Sequence, residues 1–270
     1  MPNDHYVART YLKHFGDTKL GGMLHAYSKS DGAKFPCWPK DVCHEWDGDL
    51  NPSFLDHPEL LGDFRKIFEP HWNTSIENIL GGTVSDSEKF VVSAYMANLM
   101  TCTPSWRRVA VQFYNQHAQG KLKLETDPNY IKAKITKQLL ANALLTYNQD
   151  WLLISNETEQ PFITSDNPVA IEYSGMPGEP VTRFLPITPH LCLCVTYNNL
   201  DHNFFDLENI PANLQASPKG VIKRGKIKPA EAKHINRLAA KCTRYSCFLI
   251  GRISRDCQAC AKVCSIPGRS

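Results

Sequence analysis

The hydrophobic pattern of the chain changes at Trp151, and this change constrains the fold more than any other feature. Before it, over about 59–150, apolar residues recur at the three- and four-residue intervals of amphipathic helices. After it, over about 151–253, short β-branched or aromatic runs are separated by Pro, Gly and Asn. Such short connections favour antiparallel pairing. The order predicts an α+β fold, in which a helical N-terminal and middle part packs on a mainly antiparallel sheet with a C-terminal helix and strand.

Two further elements are expected in the N-terminal part. Residues 5–16 place apolar side chains at helical spacing, which predicts a first helix with Asp4 as its N-cap and His5 at its start. Turn-forming residues between two short apolar runs predict a hairpin over 23–35.

The middle part carries two boundary signals. Pro70 falls within the helical pattern of 59–80, and it must kink or split that helix because proline lacks a backbone N–H. Ser85 followed by Glu88 is a capping box, which predicts the start of a helix over 86–100.

The second half is expected to begin with five short strands between Trp151 and Tyr197. A long irregular excursion over 198–228 comes next, and then a helix over 229–244 with Pro at its first position. A last strand over 245–253 is expected to return to the same sheet.

A chain of 270 residues is long enough to bury a hydrophobic core that needs no disulfide bonds or structural metal ions. We expect one α+β domain over 1–253, followed by a cysteine-containing tail over 254–270. No apolar run approaches the roughly 18 residues of a membrane helix, and the first residues lack a signal-peptide pattern. These features predict a cytoplasmic protein with no membrane contact.

Charge is distributed unevenly along the chain. From Lys219 onward there are 13 lysines and arginines against two acids, whereas the first 218 residues carry 17 basic and 25 acidic residues. In the predicted C-terminal helix, Lys233, Arg237 and Lys241 recur every four residues and project together. The segment 219–244 therefore predicts a polyanionic partner, RNA or DNA. The alternative is that this segment docks on the acidic remainder of the same chain.

The best-marked cofactor and hydrolase motifs are missing. The sequence has neither Gly-x-Gly-x-x-Gly nor a Gly-Lys-Ser/Thr phosphate loop. It also lacks Gly-x-Ser-x-Gly and His-Glu-x-x-His, which argues against α/β-hydrolases and zinc proteases of those types.

Three cysteines in the tail have the spacing of metal ligands, namely Cys257, Cys260 and Cys264. Two thiolates two residues apart can hold a tetrahedral ion, but a closed zinc site needs a fourth ligand. A run of free thiols at the end of the chain is the alternative.

Four short sequence motifs, called phrases below, lie at His5–Phe15, Phe162–Val169, Phe184–Pro189 and His234–Asn236. Together they resemble the mostly microbial family catalogued as domain of unknown function 4238 (DUF4238), over roughly residues 5–250. The chain departs from the family pattern at Ala8, where a proline is usual. The resemblance marks positions for a site rather than a reaction.

The first two phrases supply the candidate active site. His5 is a candidate general base or metal ligand, and Asp166 a candidate ligand or orienting carboxylate. Asn167 is a third catalytic candidate. Ser165 and Asn236 are candidate hydrogen-bonding groups for the substrate. The alternative is structural, because Asp and Asn before a proline also stabilise turns.

Three functions follow from these patterns. The first is a hydrolase, a metal-assisted nuclease or phosphodiesterase in which a divalent metal bound by His5 and Asp166 activates water, and Lys233, Arg237 and Lys241 hold the polyanion. The second is a nucleic-acid or protein binding module without turnover. The third is a defence-associated factor that acts only with a protein partner. The two polar phrases, far apart in the sequence, favour the hydrolase.

Overall fold

The computed structural model describes residues 3–46, 48, 59–105, 108, 139, 141–172, 181–197, 220–242 and 246–249. Contacts group the chain into two compact units. The helical unit comprises Met1–Tyr6, His44–Gln149 and His202–Gly220, and the sheet unit comprises Val7–Cys43, Asp150–Asp201 and Val221–Ser270. The α+β class is confirmed. The single domain over 1–253 stays a prediction.

The described part of the chain begins with short strands and one helix, continues with helices, and then contains mainly strands. These helices and strands are β1 (Asn3–His5), α1 (Arg9–Lys13), β2 (Leu24–Ser28), β3 (Lys34–Cys37), β4 (His44–Trp46), α2 (Leu60–Phe68), α3 (Trp72–Leu80), α4 (Asp86–Cys102), β5 (Trp151–Ser155), β6 (Thr164–Ser165), β7 (Ala170–Glu172), β8 (Val181–Thr188), β9 (Leu191–Tyr197), β10 (Ile222–Lys226), α5 (Pro229–Cys242) and β11 (Ser246–Leu249). Residues 141–148 are also helical.

In the helical unit, α4 is the central element. Every residue from Val91 to Cys102 is buried, as expected for a helix that is apolar around most of its circumference. Tyr95 of α4 packs against Trp72 and Phe68, with ring centroids 4.4 and 5.8 Å away. Aromatic side chains of this size contribute much of the apolar area that a small core buries.

Both boundary signals of this region are confirmed. A 3-10 turn over Glu69–His71 separates α2 from α3, because Pro70 cannot donate the backbone hydrogen bond that a continuous helix needs. Ser85 and Glu88 form the capping box at the start of α4.

The sheet unit contains a five-stranded sheet in the order β10-β5-β9-β8-β7 and a four-stranded sheet in the order β3-β2-β11-β6. The predicted hairpin is confirmed as β2 and β3. All pairs are antiparallel except β10 with β5. Helix α5 packs its small residues Ala232, Ala239 and Ala240 on the five-stranded sheet, in one core cluster with Phe162 and Phe184.

The predicted start of the first helix is wrong. His5 lies in β1, where it is paired with β4, and α1 begins only at Arg9. The residue before the helix is Ala8, which provides no side-chain cap. Backbone pairing with β4 therefore decides the conformation of His5, and Asp4 does not act as an N-cap.

Two predictions about the C-terminal part are also wrong. The supposed irregular excursion contains β10, a charged edge strand whose exposed lysines and arginine hide its strand character in the sequence. The last strand, β11, does not return to the sheet of β5, β8 and β9. It lies between β2 and β6 in the other sheet.

Candidate functional site

Tyr11 of α1 connects three of the four sequence phrases. Its hydroxyl donates to the backbone carbonyl of Pro186 at 2.6 Å and lies 2.7 Å from the hydroxyl of Thr164. Because Tyr11 has a single proton, Thr164 must be the donor in the second bond. Burial raises the pKa of Tyr11 well above its usual range, so this phenol stays neutral.

Asn236 of α5 brings in the fourth phrase. Its side-chain oxygen accepts from the backbone N–H of Ile163 at 3.0 Å, and its side-chain nitrogen donates to the carbonyl of Pro161 at 2.9 Å. Asn236 is buried, with 8% of its surface exposed. These two bonds hold the segment 161–163, which leads into β6, against α5. A role of Asn236 toward substrate stays a prediction.

The polar phrase after β6 is buried. Ser165, Asp166 and Asn167 are 0%, 4% and 6% exposed. The side chain of Asn167 donates to the carbonyl of Cys242 at the end of α5, at 3.0 Å, and its backbone N–H donates to the hydroxyl of Ser165 at 3.1 Å. These contacts match the structural alternative for Ser165 and Asn167, a turn held by its own polar side chains.

His5 and Asp166 belong to different compact units, the former to the helical unit and the latter to the sheet unit. Their pairing in one active site therefore stays a prediction. Within its own unit, His5 lies opposite His44 across the β1–β4 pair, with ring centroids 5.4 Å apart. Sequence reasoning missed His44 as a neighbour, because only the register of the two strands brings these histidines together.

The cations predicted on α5 share the side of the helix that faces away from the core. Arg237 and Lys241 are exposed and Lys233 is half-buried, while Ile235 and Ala239 face the sheet. No hydrogen bond or ion pair engages these three side chains within the described part of the chain. Their charge is thus available at the surface.

A carboxylate–histidine pair lies on the same side of the helix. Nε2 of His234 is 2.7 Å from Oε1 of Glu172 in β7, and both side chains are half exposed. His234 is three residues from Arg237 and seven from Lys241, positions that share a helix face. Sequence reasoning included His234 only as part of the fourth phrase, and nothing local in the sequence links it to Glu172.

The thiol of Cys194 lies under this pair, in the core cluster beneath α5. Burial, with a smaller contribution from the negative charge of Glu172, raises the pKa of Cys194 to about 11. A thiol with this pKa is protonated at neutral pH, so Cys194 serves as a packing residue and not as a nucleophile.

Within the described ranges, side chains that could hold a metal ion occur in groups of two at most. No group of three or more His, Cys, Asp or Glu side chains there could hold a metal ion. The predicted cluster of Cys257, Cys260 and Cys264 lies outside the described residues. None of the helices in the described ranges combines the length and the apolar character that crossing a bilayer requires.

Comparison with known proteins gives one match. The model of the family described as "Protein of unknown function (DUF4238)" matches residues 128–252, a range that contains the last three of the four sequence phrases. The resemblance seen in the sequence is thereby confirmed for this part of the chain. No curated protein and no solved structure matches.

Proposed function

We propose that this protein, which matches the DUF4238 family model over residues 128–252, binds the phosphate backbone of RNA or DNA through the exposed side of α5. The observation that carries the proposal is the row of Lys233, Arg237 and Lys241, which the described residues leave without ion pairs. Successive members are about 6 Å apart along the helix axis, a consequence of four residues at about 1.5 Å each. A row of this kind can neutralise neighbouring phosphates without reading bases.

The end of α5 adds a further cation to this row. Nζ of Lys29, in the turn between β2 and β3, donates to the carbonyl of Ala240 at 3.4 Å. Lys241 lies beside this contact, and positive charge near a helix C-terminus is favourable toward the helix dipole. Two acids lie near the row, and neither forms an ion pair with it: Glu172 contacts His234, and Glu231 accepts from the backbone N–H of Lys228.

The test uses a charge-neutralised variant, Lys233→Gln/Arg237→Gln/Lys241→Gln, and a labelled single-stranded RNA. We expect wild-type affinity to fall linearly on a log–log plot against salt, with a slope of about −0.7 per phosphate contact. Losing three contacts should reduce the slope by about 2 and the affinity at low salt by at least tenfold. Fluorescence anisotropy at several salt concentrations measures both.

The matched control removes the same charge elsewhere in the sheet unit. Arg9, Lys13 and Lys19 are exposed and distant from α5 in sequence, so Arg9→Gln/Lys13→Gln/Lys19→Gln should bind like the wild type. An equal loss in both triple variants, or an affinity independent of salt, contradicts a specific role for α5. Absence of RNA and DNA binding by the wild-type protein overturns the proposal.

A second candidate function, hydrolysis of a phosphodiester, is favoured by the Glu172–His234 pair. If the carboxylate of Glu172 accepts from Nε2–H, the neutral imidazole has its lone pair on Nδ1. His234 would then take a proton from a water that attacks phosphorus, and the departing oxygen would leave as the alcohol after receiving a proton from a solvent water, to which the protonated His234 returns its proton. The neighbouring cations would stabilise the charge that develops on phosphorus.

We expect His234→Gln and Glu172→Gln each to lower hydrolysis of a fluorogenic oligonucleotide, with at least a hundredfold loss for His234→Gln, because a general base contributes about 10²–10⁴. Binding of the same oligonucleotide should change less than twofold. His25 forms a comparable pair with Asp17 at 3.0 Å, so His25→Gln is the matched control and should keep full activity. Equal loss in the control, or no cleavage by the wild type, rejects this candidate.

A further inference from the structure

The strand pair β1–β4 places two imidazoles side by side. Asn3, Asp4 and His5 pair in antiparallel register with Trp46, Glu45 and His44, so His5 and His44 are directly opposite each other. Side chains of directly opposed residues lie on the same face of a strand pair. Both histidines are partly exposed, so solvent and small ions can reach them.

The separation of the two rings suits a shared metal ion. Two imidazoles bound to one tetrahedral ion at about 2.0–2.1 Å have ring centroids about 5 Å apart. The centroids of His5 and His44 are 5.4 Å apart, and the ring planes are inclined by 64°, an edge-on arrangement rather than a stack. The observed centroid separation exceeds this value by only a few tenths of an ångström.

A buried arginine of the helical unit holds the backbone of His5 in place. Nη1 of Arg65 in α2 donates to the carbonyl of His5 at 2.7 Å, and Nε of Arg65 donates to the side-chain oxygen of Asn98 in α4 at 3.2 Å. Arg65 and Asn98 are buried. Two side chains on a fixed backbone lose less conformational freedom when they bind a ligand, so this anchoring favours binding.

We infer that His5 and His44 bind one divalent transition-metal ion of the class that prefers imidazole, such as Zn²⁺, Ni²⁺ or Cu²⁺. The two histidines leave the remaining coordination positions to water or to an anionic ligand. This inference is independent of nucleic-acid binding by α5.

Nickel titration of the full chain tests the site, with isothermal calorimetry for affinity and thermal unfolding as a second readout. His5→Gln and His44→Gln should each weaken Ni²⁺ binding at the site at least tenfold. Because both rings serve one ion, the double variant should lose no more than either single variant. Ni²⁺ should raise the melting temperature of the wild type, and of neither single variant, because it binds the folded strand pair.

Two controls make the result specific. His71 is exposed in the same unit, so His71→Gln should bind Ni²⁺ like the wild type. His44→Phe keeps a ring opposite His5 and removes the ligand, so it should fold and still lose Ni²⁺ binding, which separates ligation from packing. Unchanged binding in His44→Phe, or additive losses in the double variant, overturns the inference.

Discussion

Tyr11 shows how much a single buried hydroxyl holds together in this protein. Its oxygen accepts from the hydroxyl of Thr164, and its O–H donates to the backbone carbonyl of Pro186. Both partners are more than 150 positions away in the sequence. Removing the hydroxyl leaves a buried carbonyl and a buried threonine hydroxyl without this partner. A lost buried partner of this kind is costly because no water replaces it.

We therefore expect Tyr11→Phe to lower the free energy of unfolding by about 1–3 kcal/mol. Urea denaturation monitored by circular dichroism measures the change. Tyr147 is partly exposed, so Tyr147→Phe is the control and should change stability by about 0.5 kcal/mol or less. Equal stability of Tyr11→Phe and wild type would mean that the two partners find other hydrogen bonds.

The candidate site was partly predictable at the residue scale. The inward orientation of Asn236 follows from its place on the apolar side of a helix whose period is clear in the sequence. The partners of His5 and His234 did not follow, because His44 and Glu172 meet them through strand register and helix-on-sheet packing. Neither relation has a local signal in the sequence.

At the scale of elements, the start of α4 is the best-defined local structure. The hydroxyl of Ser85 and its backbone N–H both donate to one oxygen of Glu88, and Asn78 donates to the other at 2.9 Å. The backbone N–H of Ser87 donates in turn to the Ser85 hydroxyl. These bonds hold the pKa of Glu88 near 2, chiefly through the Ser85 hydroxyl.

The sign of the pH dependence follows from this low pKa. Glu88 stabilises the fold fully above its ordinary pKa, and the stabilisation is lost as the pH falls from about 4.5 toward 2. We expect Glu88→Gln to reduce stability at pH 7 and to flatten its fall in that acidic window. Ser85→Ala should cost about 1 kcal/mol at pH 7.

Thermal unfolding at a series of pH values checks this prediction. Glu77 is exposed on α3, so Glu77→Gln removes a carboxylate outside the capping box and should leave the pH profile unchanged. Parallel pH profiles for the wild type and Glu88→Gln would contradict the role of the cap.

Elements with a strong local pattern were predictable, and their partners were not. The bounds of β5 and β9 agree with the apolar runs that predict them. β10 was missed because three of its five residues are basic. An edge strand tolerates such a composition because one of its sides has no neighbouring strand. β6 pairs with β11 rather than with its sequence neighbours, which no local pattern encodes.

At the scale of the whole molecule, the fold class was predictable because the change of period at Trp151 separates helices from strands. The grouping into units was not, because each unit combines three separate stretches of chain. Hydrophobic periodicity identifies the faces that are buried, but it does not identify which distant face covers them. The same reason explains why the strands expected in one sheet are divided, among the described residues, between the five-stranded and the four-stranded sheet.

The position of β11 has a consequence for how the protein is made. This strand is interior to its sheet, between β2 and β6, although it is the last of the three to be synthesised. A nascent chain that has released residues 24–28 and 164–165 from the ribosome still lacks the strand that joins them. Completion of this sheet is therefore a late event in biosynthesis, and it cannot precede the emergence of residues 246–249.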